Sequence, residues 1–255
     1  MSIIFEERSS DSPYVETIIQ GWTTCDGSAV RPAENHWHMV FTKHEGRLHP
    51  IVVGALPTSG VVSYGEGAEI LWVRFKVGTY MPHLPARKLL ETETLLPEAA
   101  SKSFWLKGSA WQYPDFNNVE TFIDRLVRDE ILVCDPVVDA ALQDQVLEMS
   151  LRTVRHRFLQ TTGLTQSHIR QVERAKQAET LLEQGVQILD VVYQLGYFDQ
   201  PHLTRSLKQF VGYTPAQILR MRQLKHVEPA ADVDGQPCAH STEYVDENSL
   251  VSQLE

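Results

Sequence analysis

The chain has 255 residues, of which 42% are hydrophobic and 22% charged, enough apolar material for one large core or two modest ones. No window is apolar for long enough to span a bilayer, and the start MSIIFEERSS lacks the basic-then-apolar order of a signal peptide. Three scattered cysteines, Cys25, Cys134 and Cys238, exclude a disulfide framework and any Cys-rich zinc module, so the expectation is a cytoplasmic protein with no membrane partner.

The net charge of −10 argues at first against a nucleic-acid ligand, but it is unevenly spread. Residues 1–149 carry 12 Lys/Arg against 21 Asp/Glu, residues 150–225 carry 11 against 5, and residues 226–255 carry none against 7. One basic block lies between two acidic ones.

Residues 1–116 read as mostly strand. The segments 49–54, 60–64 and 70–77 are short, β-branched or aromatic, and bounded by Gly, Pro or Ser. Ile70, Trp72, Arg74 and Lys76 alternate with Leu71, Val73, Phe75 and Val77, the period of a half-buried strand. All five Trp fall here, and a sandwich or barrel is the natural expectation. Over residues 117–134 the period becomes helical, with Val119, Phe122, Ile123, Leu126 and Val127 on one stripe. This helix is expected to connect the two halves or to pair with a second subunit. Residues 135–226 read as all helix, with Pro136 suited to a first turn. Residues 227–255 have no periodicity, two Pro and only acidic charge, the composition of a disordered tail.

The helical block repeats itself at an offset of 49 residues. Leu142 pairs with Val191, Val146 with Leu195, Ser150 with Asp199, Val154 with Leu203, Phe158 with Leu207, Gly163 with Gly212 and Thr165 with Thr214. In each copy a helix is followed by a short turn and then by Ser or Asp where an N-cap acceptor is wanted. Apolar residues follow four and eight positions on, sharing one face, and a Gly closes the second helix. That is a helix-turn-helix, present twice. With the apolar face inward, the first copy turns Arg152, Arg155 and His156 outward. The second turns out Gln200, His202, Thr204, Arg205 and Lys208. Arg donates two hydrogen bonds to guanine, and Gln bonds adenine in both directions. A longer helix over about 166–184 separates the copies.

The run GYFDQPHLTRSLKQFVGYTP at 196–215 closely resembles the signature of AraC/XylS-type transcription regulators. SLRTVRHRF at 150–158 is similar to the first recognition helix of that family. RAKQAETLL at 174–182 is similar to its linker helix. The resemblance covers about residues 135–222. It implies an α+β chain: a mostly-β, cupin-like or related regulatory domain at 1–116, a connecting helix at 117–134 and an all-α domain with two helix-turn-helix units at 135–226. The implied function is sequence-specific, double-stranded DNA binding in the cytoplasm, associated with the bacterial nucleoid. The implied base contacts are Arg152, Arg155 and His156 in the first unit and Gln200, His202, Thr204 and Arg205 in the second, with Lys208 and Arg220 on the backbone. Pro201 stands where many members carry a polar contact. Leu207, Val192, Thr165–Gln166 and Ile218 depart from the usual residues. A small-molecule effector, a contact with RNA polymerase and a homodimer are further partners the resemblance implies, and no cofactor is among them. The N-terminal half resembles a smaller type of domain found before such helices, through its Trp/His-rich start, the Val53-Gly54 turn and the strand LWVRFKVGTY.

Other readings compete. His36 and His38 form a His-x-His, and on a strand such a pair shares a face and can ligate one metal. A cupin-like metal-dependent enzyme of small molecules is therefore the alternative, although the carboxylate and third His it needs have no matching context. The Trp residues fit either an apolar ligand pocket or core packing. Cys134 reads as a small buried residue rather than a reactive thiol. Arg174 fits an ion pair or a phosphate contact.

Overall fold

The computed structural model describes residues 3–100, 102–145 and 148–227. In chain order the described residues form β1 (Ile3–Ser9), β2 (Val15–Thr23), β3 (Gly27–Arg31), β4 (His38–His44), β5 (Arg47–Val53), β6 (Gly60–Tyr64), β7 (Glu69–Phe75), β8 (Thr79–Tyr80), α1 (Ala86–Leu89), β9 (Glu93–Leu95), β10 (Ser103–Leu106), β11 (Ser109–Gln112) and α2 (Val119–Arg128). The helical part then runs through β12 (Val133–Cys134), α3 (Pro136–Leu142), α4 (Leu151–Thr161), α5 (Gln166–Gln184), α6 (Ile188–Gln194), α7 (Gln200–Phe210) and α8 (Pro215–Val227). The mostly-β half followed by an all-helical half stands as expected. Val146 and the acidic segment 228–255 lie outside the described residues.

The main sheet has six antiparallel strands in the order β1-β2-β7-β4-β5-β9. Its ends, β1 and β9, do not pair with each other, so the sheet is open where a barrel was a natural expectation. On β7 the alternation holds: Leu71, Val73 and Phe75 are buried, while Trp72 and Arg74 are half-buried. The buried face is closed by α2. Val119, Phe122, Ile123 and Leu126 share one core with Ile18, Met39, Phe41, Val52, Leu71 and Val73. The ring of Phe122 meets those of Phe41 and Trp111, each with centroids 5.8 Å apart. The α2 stripe is therefore spent on its own sheet rather than offered to a second subunit. Helix α2 is a lid on the β core more than a connector.

Trp37 and Trp111 are core residues, whereas Trp22 and Trp105 are exposed. Cys134 is exposed, not buried as its residue type led us to expect. It sits on the two-residue strand β12, which pairs with β8 at the edge of the β half. Partial burial pushes its thiol up; a hydrogen bond with Thr79 opposes this, and the carboxylates of Asp139 and Asp135 add to the rise. It stays protonated and is poorly suited to act as a nucleophile.

The two halves are joined by more than the chain. Two loops of the β half, around 32–36 and 54–59, are tied to each other by a bridge in which Glu34 and Leu56 exchange backbone hydrogen bonds of 2.8 and 2.9 Å. These loops reach the helices. Ala33 N–H donates to Phe210 O at 2.7 Å, Ser59 N–H to Gln209 O at 2.8 Å and Asn35 Nδ2 to Ile169 O at 3.2 Å. Ala33 is buried in the core of the second helical unit, and Ala55 in the core of the first. No helix among the described residues is long and apolar enough to cross a membrane.

Candidate nucleic-acid interface

Both recognition helices start as the repeat requires. Ser150 Oγ accepts from Thr153 N–H at 3.2 Å and caps α4, and Asp199 accepts from His202 N–H at 2.7 Å and caps α7. Each cap satisfies a first-turn amide that has no partner within the helix. Val154 and Phe158 are buried on α4, and Leu203 and Leu207 on α7. Each helix is followed by a left-handed glycine, Gly163 at φ 74° and Gly212 at φ 93°, where a side chain would be strained. Leu207, Ile218 and Val192 are all buried in the core of the second unit. Thr165 N-caps α5 by accepting from His168 N–H at 3.2 Å, which accounts for a residue with a hydroxyl there.

The inward registers fix the outward faces. Arg152, Arg155 and His156 are all exposed along α4, and no hydrogen bond or ion pair among the described residues engages their side chains. On α7, Gln200 and Arg205 are likewise exposed with free ends. The other α7 candidates are partly engaged. His202 is half-buried, its Nδ1 accepts from Phe198 N–H at 3.3 Å, and its ring lies edge-on to Tyr197. Thr204 Oγ1 donates to Gln200 O at 2.9 Å, a return bond to the preceding turn. Lys208 Nζ donates to Gly212 O at 3.2 Å and so closes the helix end. These bonds leave His202 with one free ring nitrogen and Lys208 with two further protons for other acceptors.

Other arginines of the helical half have partners within the chain. Arg157 donates to Asp135, the N-cap of α3, at 2.9 Å, and the exposed Arg170 pairs with Asp144. The guanidinium of Arg174 lies 4.4 Å from the centroid of Tyr197 in a cation–π contact, and no ion pair of Arg174 is found among the described residues.

The His-x-His pair does not converge on one point. His36 Nδ1 lies 2.8 Å from Phe75 O and 3.3 Å from Glu16. His38 is fully buried and contacts Glu34, which also accepts from Arg74 at 3.2 Å. No group of three or more His, Cys, Asp or Glu with the geometry of a metal site occurs among the described residues. Burial lowers the His38 ring to about 4, against the opposing pull of Glu34. Burial raises the Glu34 carboxyl, but His38, Arg74 and Lys176 outweigh it and leave the group at about 2. The stable form is therefore a neutral ring donating to a carboxylate, placed just behind the loop that carries Ala33.

A narrow cleft, with a cavity volume of only about 20 Å³, opens where the β half meets the end of α4. Its walls include Trp37, Met81, Leu84 and Leu89, with Asn35, Lys76, Thr161 and Thr162 as polar members. Asn35 is buried, and its Oδ1 has no hydrogen-bond partner.

Two features escaped the sequence. The docking of the 32–36 and 54–59 loops relies on backbone donors, which leave no residue pattern to find. The second is a set of large exposed apolar side chains at the starts of the recognition helices: Phe198 is 90% exposed, Leu151 73% and Met149 37%. The 49-residue offset pairs Met149 with Phe198 and was the available signal.

Compared with known proteins, residues 145–221 match the family model for a helix-turn-helix domain of the AraC type. No curated protein and no solved structure matches the chain.

Proposed function

From a chain whose residues 145–221 are an AraC-type helix-turn-helix domain, and which is on that ground a DNA-binding transcription regulator, we propose a two-helix reader of double-stranded DNA modulated through its β half. Helix α4 reads with Arg152, Arg155 and His156, and α7 with Gln200, His202, Thr204 and Arg205, each from one face of a capped helix in the major groove. Lys208 and the exposed Arg220 hold phosphates. The observation that carries this reading is the pairing of two equivalent helices, each with a buried apolar face and unengaged Arg side chains on the opposite one. The acidic remainder of the chain discourages non-specific contact and leaves the basic face to dock.

The modulating half acts through the shared loops, which tie the sheet to both helical units, and a small-molecule effector acts by changing how those loops dock. RNA polymerase contact and self-association belong to the same reading as partners of a regulator. The test is selection of bound sequences from a random DNA pool, followed by affinity measurements at two salt concentrations. Recovery of one motif, with affinity that falls as salt rises, is the expected result. Binding without sequence preference removes the reading.

A further inference from the structure

We propose that Phe198, its counterpart Met149 in the first unit and the neighbouring Leu151 are specificity residues that pack against thymine C5-methyl groups in the major groove. The inference rests on the DNA-reading function above. It goes beyond that function because it adds apolar contacts to a face otherwise composed of hydrogen-bonding side chains.

Phe198 directly precedes the N-cap Asp199, and Met149 directly precedes the N-cap Ser150. An apolar residue at this place commonly folds back on the fourth residue of its helix and fixes the entry of the chain. Those fourth residues here are Leu203 and Val154, both buried. Neither Phe198 nor Met149 is among the apolar residues packed against the clusters that hold them. With 90% of Phe198 exposed, the structural role is vacant, and the ring costs the free protein an unfavourable hydration. A scattered exposed Leu or Met is unremarkable, but large apolar groups recurring at the same point of a two-copy repeat are not scattered.

Their location selects the partner. The amide of Phe198 is bonded to His202 on the first turn of α7, so this residue stands at the start of the helix that carries Gln200 and His202. Leu151 is the first residue of α4 and Arg152 the second. In a helix-turn-helix the N-terminal residues of the recognition helix meet base edges. The one apolar group on those edges is the thymine methyl. Leu189 and Tyr193 are also exposed, but they lie on α6, the helix before the turn, and not at the start of a recognition helix.

The experiment uses the full chain and the sequence it selects from a random pool. Each thymine of that sequence is replaced in turn by deoxyuridine, which removes the methyl and leaves the hydrogen-bonding edge intact. For the wild type, at least one position in each half of the site should lose about fourfold in affinity, the factor expected for one buried methyl-sized group. Phe198→Ser should remove the thymine preference in one half only, and Met149→Ser with Leu151→Ser that in the other. The thermal unfolding midpoint serves as the control for folding and should stay put for Phe198→Ser. Equal affinity for thymine and deoxyuridine at every position overturns the proposal, as does a Phe198→Ser variant that loses affinity for both alike. Unaltered DNA binding with lost transcriptional output assigns Phe198 to a protein partner and also overturns it. Failure to select any motif is the distinct result that removes the DNA-reading function itself.

Discussion

Ser150 and Asp199 do the same work 49 residues apart, and so do Phe158 and Leu207, and Gly163 and Gly212. Cap, apolar face and terminating glycine are repeated, yet the outer faces differ. Helix α4 presents Arg152, Arg155 and His156 without internal engagements, so its face is open and cationic. Helix α7 has turned part of its face inward: His202 holds the Phe198 amide, Thr204 bonds back to Gln200, and Lys208 closes the helix end. Gln200 and Arg205 remain free. The pair shows that scaffold and reading chemistry are separable. Positions facing the core are held by packing in both units, while outward side chains are left free on α4 and are partly engaged within the chain on α7.

The comparison breaks most visibly in the cores. Phe158→Ala should cost about 3–5 kcal/mol and Leu207→Ala about 2–5 kcal/mol in denaturant unfolding. A much smaller loss in one of them means that its unit is not packed as the other is. Acidification is next, on the order of 1–3 kcal/mol, and acts where the β half meets α7. In the folded chain His38 stays neutral down to about pH 4, whereas in the unfolded chain it takes up a proton near pH 6.5. The unfolded chain thus binds more protons between these values, and stability present above pH 6.5 is lost as the pH falls toward 4. Glu34, depressed to about 2, extends the loss below the ordinary carboxylate range. Unfolding midpoints across this range should fall for the wild type and flatten in His38→Gln.

On the DNA side, Arg205→Ala should cost about 1–3 kcal/mol on the selected sequence and relax the preference at one base pair. Arg152→Ala should likewise cost about 1–3 kcal/mol on the selected sequence and relax the preference at a base pair in the other half of the site. A loss spread evenly over specific and random DNA, with the salt slope lowered by about 1, would show that α4 attracts where α7 reads. Smallest are the caps. Ser150→Ala and Asp199→Ala should each cost about 1 kcal/mol of stability, and similar values confirm that the scaffolds are equivalent.

The helical half was legible because its devices are local. An N-cap, a 3.6-residue period and a terminal glycine are all written in neighbouring residues, and so α5 was placed at Gln166–Gln184 from pattern alone. In the β half, composition and flanking turn residues placed strands at 49–54 and 60–64 and period two supported the one at 70–77, but sheet order depends on pairings distant in the chain and was not readable. The stripe of α2 was correctly seen as apolar, yet its partner was not, since a sequence of apolar residues does not say what covers them. The outward candidates on α7 were identified without their internal bonds, because Thr204 and Lys208 look the same in sequence whether free or engaged. Glu34 and His38 gave no sign of burial together, as their types are ordinarily exposed.

The glycine after each recognition helix touches the β half. A Cβ at Gly212 would lie 2.5 Å from Val30 Cγ1, and one at Gly163 would lie 3.0 Å from Leu90 Cγ. With the carbonyls of Gln209 and Phe210 capped by Ser59 and Ala33, the trailing ends of both helices rest on one common support. A fragment beginning at α3 is consequently not a smaller version of this protein. It loses the donors that finish α7 and the two alanines that complete its cores, so the spacing of its helices is free to relax. Operator preferences measured on such a fragment describe a looser instrument than the full chain, and the difference between the two isolates what the β half contributes to the pitch at which DNA is read.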